Sequence, residues 1–302
     1  MTSQQPYVSV IVPVRNAERL LPSLIQAVSA QDYPAERREL ILVDNGSTDS
    51  TGKIIRDSEL QGVRGVRQPA GGSYTARNAG VRISSGSVLA FTDADCTPEP
   101  TWLSQGVQRM VDAGIDVLAG GVRQAVDGHP NLFQMIDQMI YLRQAWYQTQ
   151  GFGATANLFA RRRVFEALGG FDGRLQSSGD RMLCFRAAQE GYRFGYNDGA
   201  IVNHCPRTTA RAIALKEVRL GQGFGQIFRL YPKSDGLRLF GQTYLRIPGI
   251  RSGPGREALD IPPARAILAL ATYSLIHILC RTYGFLKAVC APGAPAENGA
   301  AS

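Results

Sequence analysis

Two aspartates separated by a single residue, Asp93 and Asp95, follow an apolar run at residues 87–92. Carboxylates spaced in this way can share a divalent cation, and oxygen ligands suit Mg²⁺ or Mn²⁺, which commonly bind phosphate oxygens as well. The same spacing is also typical of a turn whose carboxylates cap the next helix. The pair therefore predicts either a metal site or a turn, and the surrounding elements must decide between them.

Two other polar or special residues stand where an apolar run ends. Pro13 lies near the end of the β-branched run 7–14, and Asp44 closes the run 40–44 and opens an Asp-Asn-Gly-Ser sequence. Runs of this length and composition are typical of buried strands. Asp44 is thus either a binding residue at a strand end or part of a tight turn with Asn-Gly chemistry.

Three further residues are candidates for chemistry, each with a structural alternative. Asp180 precedes the predicted helix 182–189, where a carboxylate serves as a general base or as an N-cap. His204 follows a predicted strand and is either a metal ligand or a structural histidine. Arg77 lies on the predicted helix 74–83 and either binds an anion or lies on the helix surface.

The elements that would position these residues alternate between strand and helix. This alternation predicts an α/β fold with a mainly parallel sheet covered on both faces. Ligands of such open sheets bind beyond the carboxyl ends of the strands, where Pro13, Asp44, Asp93 and Asp95 all fall. The predicted elements are strands at 7–14, 40–44, 62–67 and 87–92 and helices at 20–28, 48–58 and 74–83.

The pattern is looser after residue 100. It predicts one amphipathic helix over 132–150, and a Gly-rich loop rather than a dinucleotide fingerprint at 221–225, because no strand precedes it. The remaining predictions are strands at 154–160 and 194–196, loops or a linker at 232–263, and disorder in the last ten residues.

Several motifs occur in an order that carries a family resemblance. With Pro13 at the end of the first strand, the motifs are Asp-Asn-Gly-Ser-Thr-Asp at 44–49, Ala-Arg-Asn-Ala-Gly at 76–80, Thr-Asp-Ala-Asp at 92–95, Ala-Asn at 156–157 with 161–165, Gly-Gly-Phe-Asp at 169–172, Ser-Gly-Asp at 178–180 with 184–186, Gly-Tyr at 191–192, and Ala-Ile-Val-Asn-His at 200–204.

These motifs closely resemble those of family-two glycosyltransferases with the GT-A fold. The resemblance implies a Rossmann-like, mainly parallel sheet flanked by helices, with a helical C-terminal extension. It also implies a catalytic domain over 1–230, with a nucleotide-sugar half at about 1–100 and an acceptor half at about 101–230. Residues 231–302 would be a basic linker, an amphipathic C-terminal helix and a disordered tail.

The resemblance implies transfer of a sugar from a nucleotide diphosphate sugar, with a UDP-sugar favoured, to an acceptor hydroxyl. Asp95 would hold Mn²⁺ or Mg²⁺, with His204 as a further ligand, and Asp93 would contact the ribose or water on the metal. Asp44 would accept a hydrogen bond from the nucleobase. The main chain near Pro13 would contact the same base.

The remaining implied roles concern phosphate binding and proton transfer. Arg77 would bind the base or a phosphate, and Asp180 would be the general base of an inverting reaction. Gly179 stands where the family usually carries Glu. Residues 226–229 (Gln-Ile-Phe-Arg) are followed by Leu230 where processive synthases of the family carry Trp. This difference indicates transfer of single sugars.

Two alternatives to this function stay open. The chain would be a non-catalytic or accessory subunit of a membrane glycan-assembly complex if the acidic motifs served no chemistry. A sugar nucleotidyltransferase would share the sheet, but usually needs a Gly-rich loop after the first strand, where this chain has Pro-Val-Arg-Asn. Nucleic acid is not an expected partner, because no helix-turn-helix, zinc or aromatic RNA-binding motif accompanies the basic residues.

The positive charge is confined to the last third of the chain. Residues 1–200 hold 20 Lys and Arg and 20 Asp and Glu, whereas residues 201–302 hold 13 and 5, the whole net charge of +8. The apolar stretch 266–280 is too short to span a bilayer, so an amphipathic helix on an anionic membrane surface is predicted. The expected acceptor is then a glycan or a lipid-linked molecule. The alternative is packing of this helix on the catalytic domain or in a dimer.

Composition limits the class and the compartment. A chain of 302 residues that is 44% hydrophobic and 19% charged is neither disordered nor a small disulfide scaffold. Five cysteines without a C-x-x-C pair favour a reducing compartment. Because the N-terminus lacks a basic and apolar leader pattern, we expect no signal peptide. The predicted location is cytoplasmic and peripheral at the inner face of the membrane, in cell-envelope glycan synthesis.

Overall fold

The computed structural model describes residues 5–60, 62–69, 71–124, 126, 128–231 and 263–291. In the described chain eight strands form one sheet in the order β3-β2-β1-β4-β7-β6-β8-β5. The strands are β1 Val8–Val14, β2 Arg38–Asn45, β3 Val63–Gln68, β4 Val88–Thr92, β5 Cys96–Pro98, β6 Val117–Gln124, β7 Asn157–Arg161 and β8 Phe194–His204.

The sheet has a parallel half and a mixed half. Strands β3, β2, β1 and β4 are parallel to one another. Strand β7 is antiparallel to both of its neighbours, β4 and β6, whereas β6 and β8 are parallel. The predicted α/β class with a mainly parallel sheet is confirmed, and the antiparallel β7 and β5 make the sheet mixed.

Helices cover both faces of the sheet. The α-helices are α1 Leu21–Ser29, α2 Thr51–Glu59, α3 Ser73–Ile83, α4 Trp102–Asp112, α5 Leu132–Ile140, α6 Gln144–Tyr147, α7 Arg162–Ala167, α8 Gly179–Gln189, α9 Ala210–Leu230, α10 Pro263–Ile276 and α11 Thr282–Val289; short 3₁₀ turns lie at Ala35–Arg37 and Gln148–Gln150, and a π turn at His277–Arg281 joins α10 to α11.

Alternation along the strands divides the core into two layers. Val10 and Leu42 pack with α1, α2 and α4 on one face, whereas Ile11 and Ile41 pack with α3, α7 and α8 on the other. Both layers are mainly apolar, which is why the strands read as hydrophobic runs in the sequence. Because β3, β2, β1 and β4 are parallel, their carboxyl ends lie together at one edge of the sheet.

Two sequence predictions after residue 100 are wrong. The helix predicted over 132–150 is broken between α5 and α6, where Leu142 takes a left-handed φ of 52° and its N–H donates to the Tyr147 hydroxyl. The predicted loop at 221–225 lies inside α9, a helix of 21 residues. Its glycines serve close helix packing: a Cβ on Gly221 would lie 2.1 Å from the carbonyl oxygen of Arg281.

The C-terminal helices are longer than predicted. The sequence predicts an apolar stretch that is too short to span a bilayer. The structure instead has a continuous helix over Ala264–Val289. With 26 residues, this helix is long enough and apolar enough to cross a membrane. It packs against α9 through α11. The predicted linker, up to residue 262, and the disordered tail at 293–302 lie outside the described residues. The predicted division of the chain near residue 230 stays a prediction.

Candidate active site

A cavity of about 490 Å³ opens at the edge where the parallel strands end. Pro13 of β1 and Asn45 of β2 line it from the sheet, and Asp93 and Asp95 follow β4 into it. The opposite wall comes from the segment before α8, from α9 and from the C-terminal helices. Other residues that line the cavity are Tyr74, Arg77, Tyr141, Leu142, Thr155, Ser178, Asp180, Arg181, His204, Arg207, Lys216, Arg219, Tyr273 and Arg281.

Asp93 is oriented by a buried arginine. Arg77, only 2% exposed on α3, forms an ion pair with the Asp93 carboxylate and also lies 5.7 Å from the centre of the Tyr74 ring. Arg77 is therefore not a surface arginine of its helix. Its charge holds Asp93 in place at the cavity edge, and its Nε has no hydrogen-bond partner among the described residues.

Asp95 and His204 meet across the cavity floor, where β5 pairs with β8. Nε2 of His204 lies 3.3 Å from Oδ2 of Asp95, and Nδ1 of His204 is buried with no partner in the described part of the chain. Burial alone would raise the pKa of Asp95. The hydrogen bond and charge of His204, with the charges of Arg207 and Lys216, instead lower that pKa to about 2, so the carboxylate is ionised.

Asp180 lies in the first turn of α8 and is held by donors from three directions. The Tyr74 hydroxyl donates to its Oδ1 at 3.2 Å, the Thr155 N–H donates to its Oδ2 at 3.2 Å, and the Arg181 N–H donates to Oδ1 at 2.9 Å. The helix N-cap is Ser178, so the N-cap alternative for Asp180 is wrong. The carboxylate is fixed toward the cavity by residues of α3 and of the loop before β7.

The Tyr74 ring accounts for the glycine before Asp180. A Cβ on Gly179 would lie 2.8–2.9 Å from three atoms of that ring, so a longer side chain does not fit. Burial and the neighbouring Asp180 carboxylate raise the pKa of Tyr74, which keeps its hydroxyl a donor. The tyrosine takes the space that a glutamate would need.

Asp44 lies at the end of β2 and is 3% exposed, beside the cavity rather than in its lining. Its Oδ1 accepts the Ser47 N–H at 2.8 Å, which is the predicted turn contact. Its Oδ2 is 3.6 Å from Nε of Arg67 and accepts no hydrogen bond from any described residue. This oxygen is buried at the strand end, where the charge of Arg67 faces it.

Cationic side chains form the wall opposite the aspartates. Arg207 pairs with the buried Asp137 at 2.8 Å, whereas Lys216 and Arg219 of α9 have no carboxylate partner among the residues described. Burial, with the nearby charges of Arg207 and Arg219, lowers the pKa of Lys216 to about 7. This wall carries positive charge that the protein itself does not neutralise, which suits an anionic ligand.

Strained backbone is concentrated at the same place. Within the described ranges, three residues other than glycine have a positive φ: Asn16 at 49°, Leu142 at 52° and Ser178 at 64°. Leu142 and Ser178 line the cavity, and Asn16 lies between two lining residues. Such conformations cost free energy and cluster at binding and catalytic sites, where the surrounding structure holds them.

Comparison with known proteins decides the family. The model of glycosyl transferase family 2 matches residues 9–169, just over half of the chain. The chain belongs to this family. It is also 34% identical over 236 residues to the glycosyltransferase AglE of Haloferax volcanii, a match that covers 76% of this chain and 77% of the relative. Two other curated relatives are longer, and the chain spans 50% and 44% of their lengths.

Solved structures confirm the GT-A fold of this glycosyltransferase. The mannosyltransferase PcManGT from Pyrobaculum calidifontis, in complex with GDP-Man and Mn²⁺, superimposes with a TM-score of 0.60 at 20% identity and covers 95% of this chain and 74% of its own. Residues 1–349 of S. aureus TarS, in complex with UDP-GlcNAc, give a TM-score of 0.53 at 17% identity, covering 93% and 88%. The chain is an enzyme that transfers a sugar.

The fold of this family 2 glycosyltransferase brings most of the predicted site residues together. Six of the seven line one cavity, and Asp44 lies just beside it. Their individual roles stay predictions. The structure adds for Arg77 that it forms an ion pair with Asp93. The six residues that line the cavity are Pro13, Arg77, Asp93, Asp95, Asp180 and His204.

Several residues of this glycosyltransferase site have no signal in the sequence analysis. Tyr74 and the Thr155 N–H orient Asp180, and Lys216 and Arg219 reach the cavity from a helix that was not predicted. The apolar spacing of Ile213, Leu220, Phe224 and Ile227 would have indicated α9. Asn157, in the predicted acceptor half, is fully buried and donates to the Gly121 and Ala200 carbonyls, which joins three strands.

Proposed function

We propose that this enzyme transfers a single sugar, with inversion, from a nucleotide diphosphate sugar to an acceptor hydroxyl in cell-envelope, lipid or polysaccharide glycan synthesis. One observation carries the proposal: a single cavity holds two chemical groups on opposite sides. Asp95 and His204 lie at the sheet edge, and the fixed carboxylate of Asp180 lies on the other side. A donor and an acceptor can meet between these two groups.

The donor half fits a nucleoside diphosphate. Oδ2 of Asp44 accepts no hydrogen bond from a described residue and would accept one from an N–H of a nucleobase such as uracil. The Pro13 main chain lies on the adjacent strand. Asp93, held by Arg77, faces the expected position of the ribose. TarS binds UDP-GlcNAc and PcManGT binds GDP-Man. We favour a UDP-sugar because a single carboxylate acceptor suits the N–H of uracil.

The residues present fit Mn²⁺ or Mg²⁺. Asp95 supplies an ionised carboxylate that is partly exposed to the cavity, and His204 supplies a ring nitrogen 3.3 Å away. Two protein ligands are enough for an ion that also takes oxygens from the donor diphosphate and from water. Within the described residues no group of three or more His, Cys, Asp or Glu forms a closed metal cluster. When bound there, the ion would neutralise charge on the departing diphosphate.

Asp180 acts as the general base. Its carboxylate accepts the proton of the acceptor hydroxyl as the acceptor oxygen bonds to the anomeric carbon. The bond from that carbon to the donor phosphate oxygen breaks on the opposite face, and its electron pair leaves with the nucleoside diphosphate. Tyr74 and the Thr155 N–H keep the carboxylate aimed during this step. Attack opposite the leaving group inverts the anomeric centre.

Lys216 and Arg219 stabilise the leaving diphosphate. Both lie on the cavity-facing side of α9, and neither is neutralised by a carboxylate in the described chain. As the glycosidic bond breaks, negative charge grows on the diphosphate, and cations fixed in advance favour that state over the ground state. Arg207, which also interacts with Asp95, links this wall to the metal side.

The charge state of Lys216 gives a pH-dependent expectation. Because its pKa is about 7 and Arg207, Arg219, Asp137 and Asp93 are its charged neighbours, the ammonium form that binds diphosphate is lost as pH rises through neutrality. UDP affinity of the wild type should therefore fall between about pH 6 and pH 8.5, whereas Lys216→Arg should stay charged throughout. Isothermal titration of both proteins at both pH values measures this.

The comparison contains its own control. The second ionisation of UDP, near pH 6, affects both proteins equally and cancels in their difference. If the two proteins show the same change of affinity with pH, Lys216 does not contact the diphosphate.

The acceptor we propose is a glycan or a lipid-linked molecule, met by a cytoplasmic enzyme at the inner face of the membrane. The support is the position of the C-terminal helix, which contributes Tyr273 and Arg281 to the cavity wall. An apolar helix thus borders the place where the acceptor must enter. The lack of the Trp of processive synthases after Arg229 supports transfer of one sugar at a time.

Thermal unfolding with nucleotides tests the proposed donor. A ligand that binds only the folded protein at 100 times its Kd adds about 2.7 kcal/mol to the free energy of unfolding, which raises Tm by several degrees. We expect UDP with Mn²⁺ to raise Tm more than GDP or dTDP with Mn²⁺. A larger rise of Tm with GDP would show that the donor carries guanine rather than uracil. No rise of Tm with any of the three nucleotides would contradict the proposed function.

A further inference from the structure

The C-terminal helix, Pro263–Val289, has a polar inner face and an apolar outer face. Its buried side chains recur every three or four residues and include Tyr273, His277 and Arg281. Its outer face is a stripe of large apolar side chains that are each 52–64% exposed. We call this set the apolar stripe: Ile267, Leu268, Leu275, Ile278, Leu279, Tyr283 and Leu286. Helices of proteins surrounded by water show the opposite arrangement, and exposed apolar patches mark interaction surfaces.

The inner face is held to α9 by one buried carboxylate. Glu217 is fully buried and accepts from Nε and Nη2 of Arg281 at 2.6 and 2.9 Å. Nδ1 of His277 lies 3.0 Å from the same carboxylate, and the Tyr273 hydroxyl donates to it at 3.3 Å. Tyr141 of the cavity wall also donates to it. Separation of the helix from α9 would leave this charge buried without its partners.

Glycines bring the two backbones into direct contact. A Cβ on Gly284 would lie 2.1 Å from the Val218 carbonyl oxygen, and a Cβ on Gly225 would lie 2.7 Å from that of Phe285. Gly221 makes the equivalent approach to Arg281. The helix is thus packed on α9 along α11 as well as at Glu217, and its orientation to the catalytic domain is fixed.

These contacts distinguish a helix that spans a bilayer from one that lies in the plane of the membrane. By length and composition the helix is able to span, and only 22% of its most apolar window is buried. Spanning would, however, require His277 and Arg281 to leave Glu217 and enter the hydrocarbon, where unpaired charges are strongly disfavoured. Lying in the plane of the membrane keeps every one of these contacts and still buries the apolar stripe.

The charge around the stripe favours a bilayer over a second copy of the chain. Residues 263–291 contain no Asp or Glu, and the exposed Arg265 and Lys287 lie near the two ends of the stripe. All of the net charge of +8 falls within residues 201–302. Two copies that paired through their apolar stripes would bring these cations close to one another, which is unfavourable. Anionic lipid headgroups would instead attract each cation near the membrane surface.

We propose that the apolar stripe docks this enzyme in the plane of an anionic membrane, with the C-terminal helix half immersed and not spanning. Because Tyr273 and Arg281 of the same helix line the catalytic cavity, the docked orientation holds the cavity at the membrane surface. The docking does not rest on the proposed sugar transfer, since membrane binding and labelling are measured without substrates.

Vesicle flotation tests the stripe. The full-length protein should float with vesicles of equal parts phosphatidylcholine and phosphatidylglycerol. A smaller fraction should float with vesicles of phosphatidylcholine alone. At about 1 M salt, where charges are screened within about 3 Å, the floating fraction should fall but stay measurable. Leu275→Glu with Leu279→Glu should abolish flotation. Leu60→Glu is the matched control, because Leu60 is 94% exposed on the catalytic domain, and it should float like the wild type.

Failure of the wild type to float would overturn the proposal. Light scattering would then show whether the stripe joins two copies, since the double variant would turn a dimer into a monomer. Circular dichroism of each variant establishes that it is folded. If the folded double variant floats like the wild type, the stripe is not the docking surface, and the proposal also fails.

The cysteines of the chain distinguish lying from spanning. Cys205 on the catalytic domain and Cys290 just beyond the helix are both exposed, whereas Cys96 and Cys184 are buried. In a Cys280→Ser background, a membrane-impermeant maleimide added outside sealed vesicles should modify Cys205 and Cys290 equally. Single replacements of each by Ser assign the two products. Protection of Cys290 until detergent opens the vesicles would show a spanning helix and overturn the proposal.

Discussion

We expect Asp180→Asn to lower the rate of sugar transfer by about 10²–10⁴-fold, the usual effect of losing a general base. The amide has the shape of the carboxylate and can still accept from the Thr155 N–H, but it cannot take the proton of the acceptor hydroxyl. Donor binding should stay near the wild-type level, because Asp180 lies on the acceptor side of the cavity. Single-turnover kinetics and UDP titration measure the two quantities separately.

Two other variants give this expectation its contrast. Asp112→Asn removes a carboxylate from the exposed end of α4 and should leave the rate of transfer unchanged. Tyr74→Phe removes one donor to Asp180 but keeps the base, so its rate should fall less than that of Asp180→Asn. Transfer by Asp180→Asn at the wild-type rate would mean that another group takes the proton and that Asp180 has only a structural role.

The nucleotide half of the fold could be predicted because its signals are local. Each strand is a short β-branched run with a polar residue at its end, as at Asp44 and Asp93, and each helix between them has an apolar spacing of its own. In a parallel sheet these ends must meet at one edge. The meeting of the strand ends at one edge, with Asp44, Asp93 and Asp95 there, therefore followed from the sequence without any knowledge of long-range contacts.

The acceptor half could not be predicted to the same extent, because its contacts join distant segments. The break at Leu142 depends on the hydroxyl of Tyr147, and the left-handed conformation there has no glycine to indicate it. The sequence predicts a loop at Gly221, because glycine is disfavoured in a helix. Glycine is required at position 221 because the Arg281 backbone packs against it. Arg281 lies 60 residues later in the chain, so this contact cannot be inferred from local spacing.

The polar inner face of the C-terminal helix shows the same limit. His277 and Arg281 are four residues apart and share one face of this helix, and the charged residues of an amphipathic helix usually face water. They instead pair with Glu217, and the apolar residues face outward. Burial and the partners His277 and Arg281 act in opposite directions on Glu217, and the partners prevail, since its pKa is lowered to about 2. One buried carboxylate on α9 therefore decided which face of the helix is exposed.

Asp95→Ala should abolish the metal-dependent part of turnover, a loss of about 10²–10³-fold, because a divalent ion contributes several kcal/mol to stabilising the departing diphosphate. Binding supplies a readout that does not need activity. In the wild type, UDP should raise Tm more with Mn²⁺ than with EDTA. In Asp95→Ala the two rises should be equal, since Asp95 is the ionised ligand at the site.

Asp93→Asn separates a metal role from a contact with the nucleotide itself. Asp93 is paired with Arg77, so its loss should lower the Tm rise produced by UDP to the same extent with Mn²⁺ and with EDTA. Asp95→Ala should instead lower only the rise seen with Mn²⁺. If Asp95→Ala keeps the full difference between Mn²⁺ and EDTA, Asp95 does not hold the ion, and its short distance to His204 serves only to pair β5 with β8.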